Sequence, residues 1–429
     1  MTSYCHGPTR REALRVGFLG LLGWSLSDYL RLAAATSRQP RADAVIFIHL
    51  AGGPAHLDTL DMKPEAPVEE QGEFRRIASK IPGVPVCEHL AKLGQALDRF
   101  TLIRGIRHTS GAHPQANEYI FTGNRPSPAV VHPGLGAVAS KERPGPIDLP
   151  SFVAIPRSEM GPGFLGVAYS SFKTADTPKP GQPFEVRGLT LTNGLTINKV
   201  KQREALLRDL DTKFRQAEAS NALLEGLDRF GQAAQAMIVS PRAQSAFDVS
   251  KESPAIAKLF AADEFSQSLL LAGRLVEHGV RFVTVNFEGW DTHLDNFNNL
   301  KNKLLPRLDA GLPALIAMLD AKGLLRRTLV VCTGEFGRTP TINRNAGRDH
   351  WPRAMWTLMA GGGVKSNNLI GGTDKKGHGP DSGTNIKPDD LAASICHALG
   401  LDHLKEYYTP TGRPVLLIPH GEVIEGLFE

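Results

Sequence analysis

Residues 44–50 (AVIFIHL) and 329–332 (LVVC) are runs of consecutive rather than alternating apolar positions. Such runs suit strands covered on both faces, the usual situation in a parallel sheet. Further strands are predicted at 100–104, 151–155, 280–287 and 356–359. Between them the period changes to that of a helix. Leu206, Leu210 and Phe214, then Leu223, Leu227 and Phe230, mark helical faces within 197–238. Residues 265–278 form another amphipathic stretch, and Leu304, Leu308, Leu312, Leu315 and Leu319 line one face of a third. Pro313 inside that face predicts a kink or a restart. A last helix is expected at 389–399 and a terminal hairpin around 419–422. Strands alternating with helices predict an α/β fold, a large mainly parallel sheet with helices on both faces. Residues 156–194 are rich in glycine and proline and weakly periodic. They open a Gly/Pro-rich and helical insertion at about 156–262, expected to be irregular surface or a small hairpin at its start.

The chain has 429 residues, enough for one large α/β domain or two smaller domains and a sizeable core. Its formal charge of +5 is small for that length, and no basic stripe with interleaved aromatics occurs, so nucleic acid is not an expected partner. The four cysteines are far apart with no CxxC pair, which excludes a disulfide framework or a cysteine-zinc site. Cys332, inside an apolar run, reads as a small buried hydrophobe. Residues 1–36 have another character. Arg10-Arg11 precedes the apolar VGFLGLLGWSL of residues 16–26, and Ala33-Ala34-Ala35 follows. That core is shorter than the about 20 residues of a membrane span, so no stable span is expected in the mature chain. The pattern resembles a twin-arginine export signal, which implies the twin-arginine export machinery as a partner and a periplasmic or otherwise extracytoplasmic mature chain over 37–429. Export in the folded state suits a protein that takes up its cofactor in the cytoplasm.

Candidate chemistry gathers where the strands end. The first ends in Gly52-Gly53-Pro54 and then His56 and Asp58; the strand at 280–287 leads to Asp291 and His293; residues 329–332 lead to Glu335, Asp349 and His350. If these strands are parallel neighbours, their carboxyl ends meet in one crevice. Mixed imidazole and carboxylate donors suit Zn²⁺ or Mn²⁺ rather than Ca²⁺ or Mg²⁺. A divalent metal there would polarise an ester oxygen or acidify a water. Arg338 and Arg348 are placed to clamp an oxyanion. His108 reads as structural. Trp290 and Trp351, one beside each acidic pair, either wall a pocket or simply pack. No phosphate-binding GxxxxGK[ST] loop occurs.

HLAGGPAHLDTLD, TGNRP, GWDTH, TGEFGRTP and GRDHWP, together with the leader, resemble the alkaline phosphatase and sulfatase superfamily. Within it they resemble the exported branch catalogued as domain of unknown function 1501. The resemblance runs from about residue 44 to the C-terminus. It implies an alkaline-phosphatase/sulfatase-like fold and a metal-dependent hydrolase of phosphate or sulfate esters, acting on a small-molecule or glycan ester. Asp291 with His293 resembles the superfamily's upstream metal pair, Glu335 stands in place of its downstream acid, and His350 resembles the downstream histidine. Where sulfatases carry paired aspartates after the first strand, this chain has Gly52-Gly53, and the resemblance implies His56 or Asp58 as the substitute. The sulfatase nucleophile, nine residues before the threonine of TGNRP, is replaced by His113, with Ser110 and Thr109 nearby. Three readings follow: a hydroxide held by the metal attacks directly, His113 is a further ligand, or the fold is a non-catalytic extracytoplasmic binding or scaffold protein that retains the metal pocket.

Overall fold

A computed structural model describes residues 39–184, 186 and 236–429. The leader and most of the helical periodicity of 197–238 lie outside the described residues. In chain order the strands used here are β1 (Ala44–Leu50), β2 (Thr101–Ile106), β3 (Phe152–Ile155), β4 (Phe172–Lys173), β5 (Phe282–Phe287), β6 (Thr328–Thr333), β7 (Gly337–Arg338), β8 (His350–Trp351), β9 (Met355–Ala360) and β10 (Asn368–Ile370). Eight of them form one sheet in the order β10-β2-β9-β6-β1-β5-β3-β4. All neighbours are parallel except β9, which runs antiparallel to both β6 and β2. The carboxyl ends of β1, β2, β5 and β6 therefore share one edge. β7 and β8 make a separate antiparallel ribbon beyond that edge, pairing Arg338 with His350.

The consecutive apolar runs have the predicted cause. All seven residues of β1 are buried, and they alternate between two cores: Ile46, Ile48 and Leu50 face one, Val45 and Phe47 the other. Helices α3 (Glu264–Glu277) and α4 (Leu305–Ala321) fill the first core through Leu269, Leu271, Leu312 and Leu315. Helices α1 (His113–Thr122), α2 (Leu135–Glu142) and α5 (Pro388–Ala398) fill the second through Ile120, Val138, Leu391 and Ile395. The side chain of Asp263 caps α3 by accepting from the Ser266 amide at 2.9 Å.

Two expectations change. Helix α4 continues through Pro313, and the irregularity lies upstream, in a π-turn at Leu300–Leu304. Burial of Leu308, Leu312, Leu315 and Leu319 offsets the one hydrogen bond that proline removes. The terminal hairpin pairs Glu406–Tyr408 with Pro414–Leu416, ahead of the predicted 419–422. Gly412, at φ +81°, turns the chain there, and Thr409 donates its amide to the Arg413 carbonyl at 2.9 Å. The start of the insertion is turns and short helical pieces, with β4 adding an edge strand to the main sheet.

Candidate metal centre

Four segments deliver side chains to the shared sheet edge. β5 runs out to Asp291 and His293, β6 to Glu335, and the ribbon brings His350, while the loop after β2 leads into α1, whose first residue is His113. Their close approach requires glycine at the end of β1. Gly52 lies at φ +113°, and a Cβ there would stand 2.2 Å from the Asp291 amide nitrogen. Its own N–H is free to donate to both Glu335 oxygens, at 2.9 and 3.1 Å.

The three imidazoles are held in the same way. His113 Nδ1 meets Glu335 Oε1 at 2.6 Å, His293 Nδ1 meets Asp349 Oδ1 at 2.7 Å, and His350 Nδ1 meets the Gly111 carbonyl at 2.7 Å. A carbonyl only accepts, so His350 carries its proton on Nδ1, and the two carboxylates favour the same tautomer in the others. The Nε2 lone pairs then all face one carboxylate oxygen. Asp291 Oδ1 lies 3.4, 3.1 and 3.2 Å from the Nε2 atoms of His113, His293 and His350, and the last two nitrogens are 2.9 Å apart. Lone pairs at such separations repel unless a proton or a cation lies among them.

A tetrahedral zinc with bonds of about 2.0–2.1 Å spaces its ligand atoms about 3.3–3.4 Å apart, close to these separations. The ligand atoms of His113, Asp291 and His350 lie within 4.8 Å of one another. That set of two nitrogens and one oxygen, each of its imidazoles fixed by an acceptor behind it, fits a divalent cation, with His293 Nε2 beside Asp291 and His350 but outside the group. The cluster is also reachable: the side chains of His113 and Asp291 are 32% and 46% exposed.

Charge around the cluster is tuned accordingly. Burial pushes the Glu335 carboxyl up, but hydrogen bonds from His113 and His49 outweigh it and hold the group at about 2. Glu335 in turn raises the His113 pKa, chiefly through their hydrogen bond and against burial. Burial depresses His350. Asp291 is pushed up by burial but held low overall by Arg338, with His350 and His113 adding to the effect. The hydrogen bond from His293 holds Asp349 low.

Other expected site residues stand elsewhere. Glu335 and Asp349 sit behind the imidazoles rather than among the converging atoms. Asp58 is buried in a two-pronged ion pair with Arg348, at 2.7 and 2.8 Å, and also accepts from Asn296. The remaining Arg348 donors go to the carbonyls of Glu70, Thr339 and Pro340. Arg338 is equally committed, to the carbonyls of Gly52, Gly53, Trp290 and Arg348 and to Asp291. Both guanidiniums are fully buried, so the expected oxyanion clamp is replaced by two struts that fix the loops. His56 is buried, with Nε2 on the Gly377 carbonyl at 2.9 Å, and stays out of the cluster. Ser110 contributes its amide to His108 Nδ1, and no hydrogen bond brings its hydroxyl to the cluster. His108 is structural, donating to the Glu335 carbonyl at 2.7 Å. Trp290 packs edge-on to Phe287 in the core.

His49 was not anticipated. It lies within β1, its Nδ1 donates to Asn286 Oδ1 at 2.9 Å, and its Nε2 faces Glu335 Oε2 at 3.3 Å. It is the one ionisable residue in an otherwise apolar run, a signal the sequence does carry.

The family described as protein of unknown function (DUF1501) matches residues 42–428. No curated protein matches the chain. Among solved structures it is similar to the lipoteichoic acid synthase LtaP from Listeria monocytogenes, at 11% identity and TM-score 0.37 over 88% of this chain and 75% of that one. It is similar to alkaline phosphatase from the Antarctic bacterium TAB5, at 10% identity and TM-score 0.34 over 84% and 99%. PsFucS1 sulfatase from Pseudoalteromonas sp. is similar at 13% identity and TM-score 0.31 over 92% and 72%.

Proposed function

The chain belongs to the DUF1501 family, and from that membership and the converging imidazoles we propose that it is an exported, metal-dependent hydrolase of phosphate or sulfate esters. The observation that carries the reading is the common geometry of His113, His293 and His350, each fixed at Nδ1 and aimed through Nε2 at Asp291 Oδ1. A His/Asp/His donor set favours Zn²⁺ or Mn²⁺ over Mg²⁺ or Ca²⁺. When bound, a divalent cation supplies Lewis acidity toward a phosphoryl or sulfuryl oxygen and acidifies water. Glu335 and Asp349 orient two of the imidazoles and raise their basicity. Arg338 holds Asp291 in place and ionised. The motifs at Asp291, Glu335 and His350 support an alkaline phosphatase and sulfatase type of chemistry on a small-molecule or glycan ester. The leader, with Arg10 and Arg11, supports passage through the twin-arginine machinery to the periplasm.

A second reading is favoured by one feature. The place where a sulfatase keeps its nucleophile holds His113, itself part of the cluster. Among the described residues, no serine, threonine or cysteine side chain makes a polar contact with the four converging groups. Cys332, buried in β6 with its thiol pushed up by burial, is no substitute. A binding protein that keeps the metal pocket without turnover accounts for this equally simply.

Metal analysis of the purified protein tests the first half of the proposal. Stoichiometric Zn or Mn, lost in an Asp291→Asn, His350→Ala double variant, is expected; a folded wild type that takes up no metal would overturn both readings. A panel of phosphomonoesters, phosphodiesters and sulfate esters, assayed with each metal, separates them. Turnover no faster than that of the double variant on every ester leaves the binding protein.

A further inference from the structure

A cavity of about 520 Å³ adjoins the 107–113 loop, and its lining includes Arg107, Arg125, Arg353 and Lys387 but no aspartate or glutamate. Its size is that of a small-ligand pocket, which spans about 300–1,000 Å³. Its walls are the immediate chain neighbours of the candidate centre. His108 and Thr109 lead to Gly111 and His113, and Pro352 and Arg353 follow His350 after Trp351.

The cations contrast with Arg338 and Arg348, whose donors are spent on the protein. None of these four forms an ion pair with a carboxylate among the described residues. Three are nevertheless held in place. The Arg353 guanidinium lies 5.5 Å over the Trp351 ring, and Trp351 is pinned by its Nε1 donating to the His378 carbonyl at 3.0 Å. Arg107 Nη2 donates to Asn385 Oδ1 at 3.2 Å. Arg125 sits against the hydroxyl of Tyr119, a buried residue that donates to Asp389 at 3.1 Å, and it interacts with that carboxylate from beyond ion-pair distance. Arg125 belongs to TGNRP, the motif with no part in the metal cluster.

We propose that this cavity binds a second oxyanion of the substrate: a sulfate, phosphate or carboxylate substituent on the molecule whose ester lies at the His113–Asp291–His293–His350 cluster. The proposal rests on the ester-hydrolase reading and narrows it to polyanionic substrates. Unpaired guanidiniums beside an acid-free pocket recognise planar or tetrahedral oxyanions through paired N–H donors. A substrate with the ester as its only charge leaves the four cations unmatched.

Binding, read without turnover, tests this. A heparin-derived tetrasaccharide is titrated calorimetrically into the full chain at low salt, using wild type, an Arg125→Ser, Arg353→Ser variant, and an Arg75→Ser, Arg76→Ser surface control outside the cavity lining. Binding by the wild type, weakened about tenfold or more in the cavity-arginine variant and little changed in the surface control, is expected. Both substituted arginines are exposed, and an unchanged melting temperature shows that the fold is retained. No binding by the wild type, binding kept in the cavity-arginine variant, or binding weakened equally in the surface control would overturn the proposal. Inorganic phosphate is titrated in parallel. Phosphate binding as tightly as the tetrasaccharide would assign the cavity to free ions and overturn the substrate assignment. A protein that binds through the arginines yet cleaves no ester refutes the hydrolase and leaves the polyanion pocket standing.

Discussion

Glu335 does not reach the converging nitrogens, yet it takes more polar contacts than any of them: His113 at 2.6 Å, the Gly52 amide on both oxygens, and His49 at 3.3 Å. Held at about 2, its carboxyl is ionised at neutral pH. Its task is to keep the His113 proton on Nδ1. Glu335→Gln preserves the shape and removes the charge, so metal affinity should fall about 10–100-fold in a chelator competition titration. Affinity equal to wild type would reduce Glu335 to packing. Asp58 and Arg348 make the opposite prediction. A buried pair that loses one partner costs about 3–5 kcal/mol, so Asp58→Ala should lower urea stability by that order with the metal stoichiometry unchanged. A stable variant that loses its metal would return Asp58 to the ligand set. Sequence reading found the right residue types at these strand ends but not their partners. Spacing places a side chain at an edge, whereas the groups facing Asp58 and Glu335 come from positions 290 and 222 residues away. His49 escaped for the reverse reason, its place in an apolar strand concealing a polar contact at the strand's end.

At the scale of the elements, β1, β5 and β6 were legible because strands covered on both faces admit little but apolar side chains. The antiparallel direction of β9 was not legible, since its MWTLMA is as apolar as its parallel neighbours and carries no sign of direction. The packing of α3 on α4 is chiefly a matter of burial. Leu315, fully buried between them, should cost about 2–5 kcal/mol when truncated to alanine, measured by urea unfolding. A polar tie joins the same two helices to the segment before them. Glu252, buried, accepts from Arg274 Nη1 and Lys322 Nζ, each at 3.0 Å. Burial raises its carboxyl, but the Ser253 amide, Lys322 and Arg274 outweigh that and leave it below the usual value. A depressed carboxyl stabilises the fold above its unfolded pKa, and that contribution is lost as pH falls through the folded one. Glu252→Gln should therefore cost about 1.5–3 kcal/mol at pH 7, and the gap to wild type should close as pH is lowered below about 4. A gap independent of pH would mean that charge plays no part in the tie.

For the whole molecule, the candidate centre is assembled from segments scattered between residues 111 and 350, so it exists only once the sheet has closed. Each imidazole has its own acceptor, and Asp291 has Arg338, so protein contacts position the candidate ligands. Pre-organisation of this kind suits export in the folded state. In the full chain, Arg10→Lys with Arg11→Lys should trap the protein in the cytoplasm on cell fractionation; unchanged periplasmic yield would reject the leader as a twin-arginine signal. The same property separates this centre from a metal that folds its domain. Chelation should leave the far-UV circular dichroism intact, because the two cores and the Arg338 and Arg348 struts are untouched. Metal added back at 100 times its dissociation constant should then stabilise the fold by about 2.7 kcal/mol, the linkage expected for one site that binds only the native state. That increment should vanish in Asp291→Asn. If chelation instead unfolds the protein, the imidazoles are not held by their Nδ1 partners as described. If metal raises stability equally in Asp291→Asn, the ion binds somewhere other than where the three histidines converge.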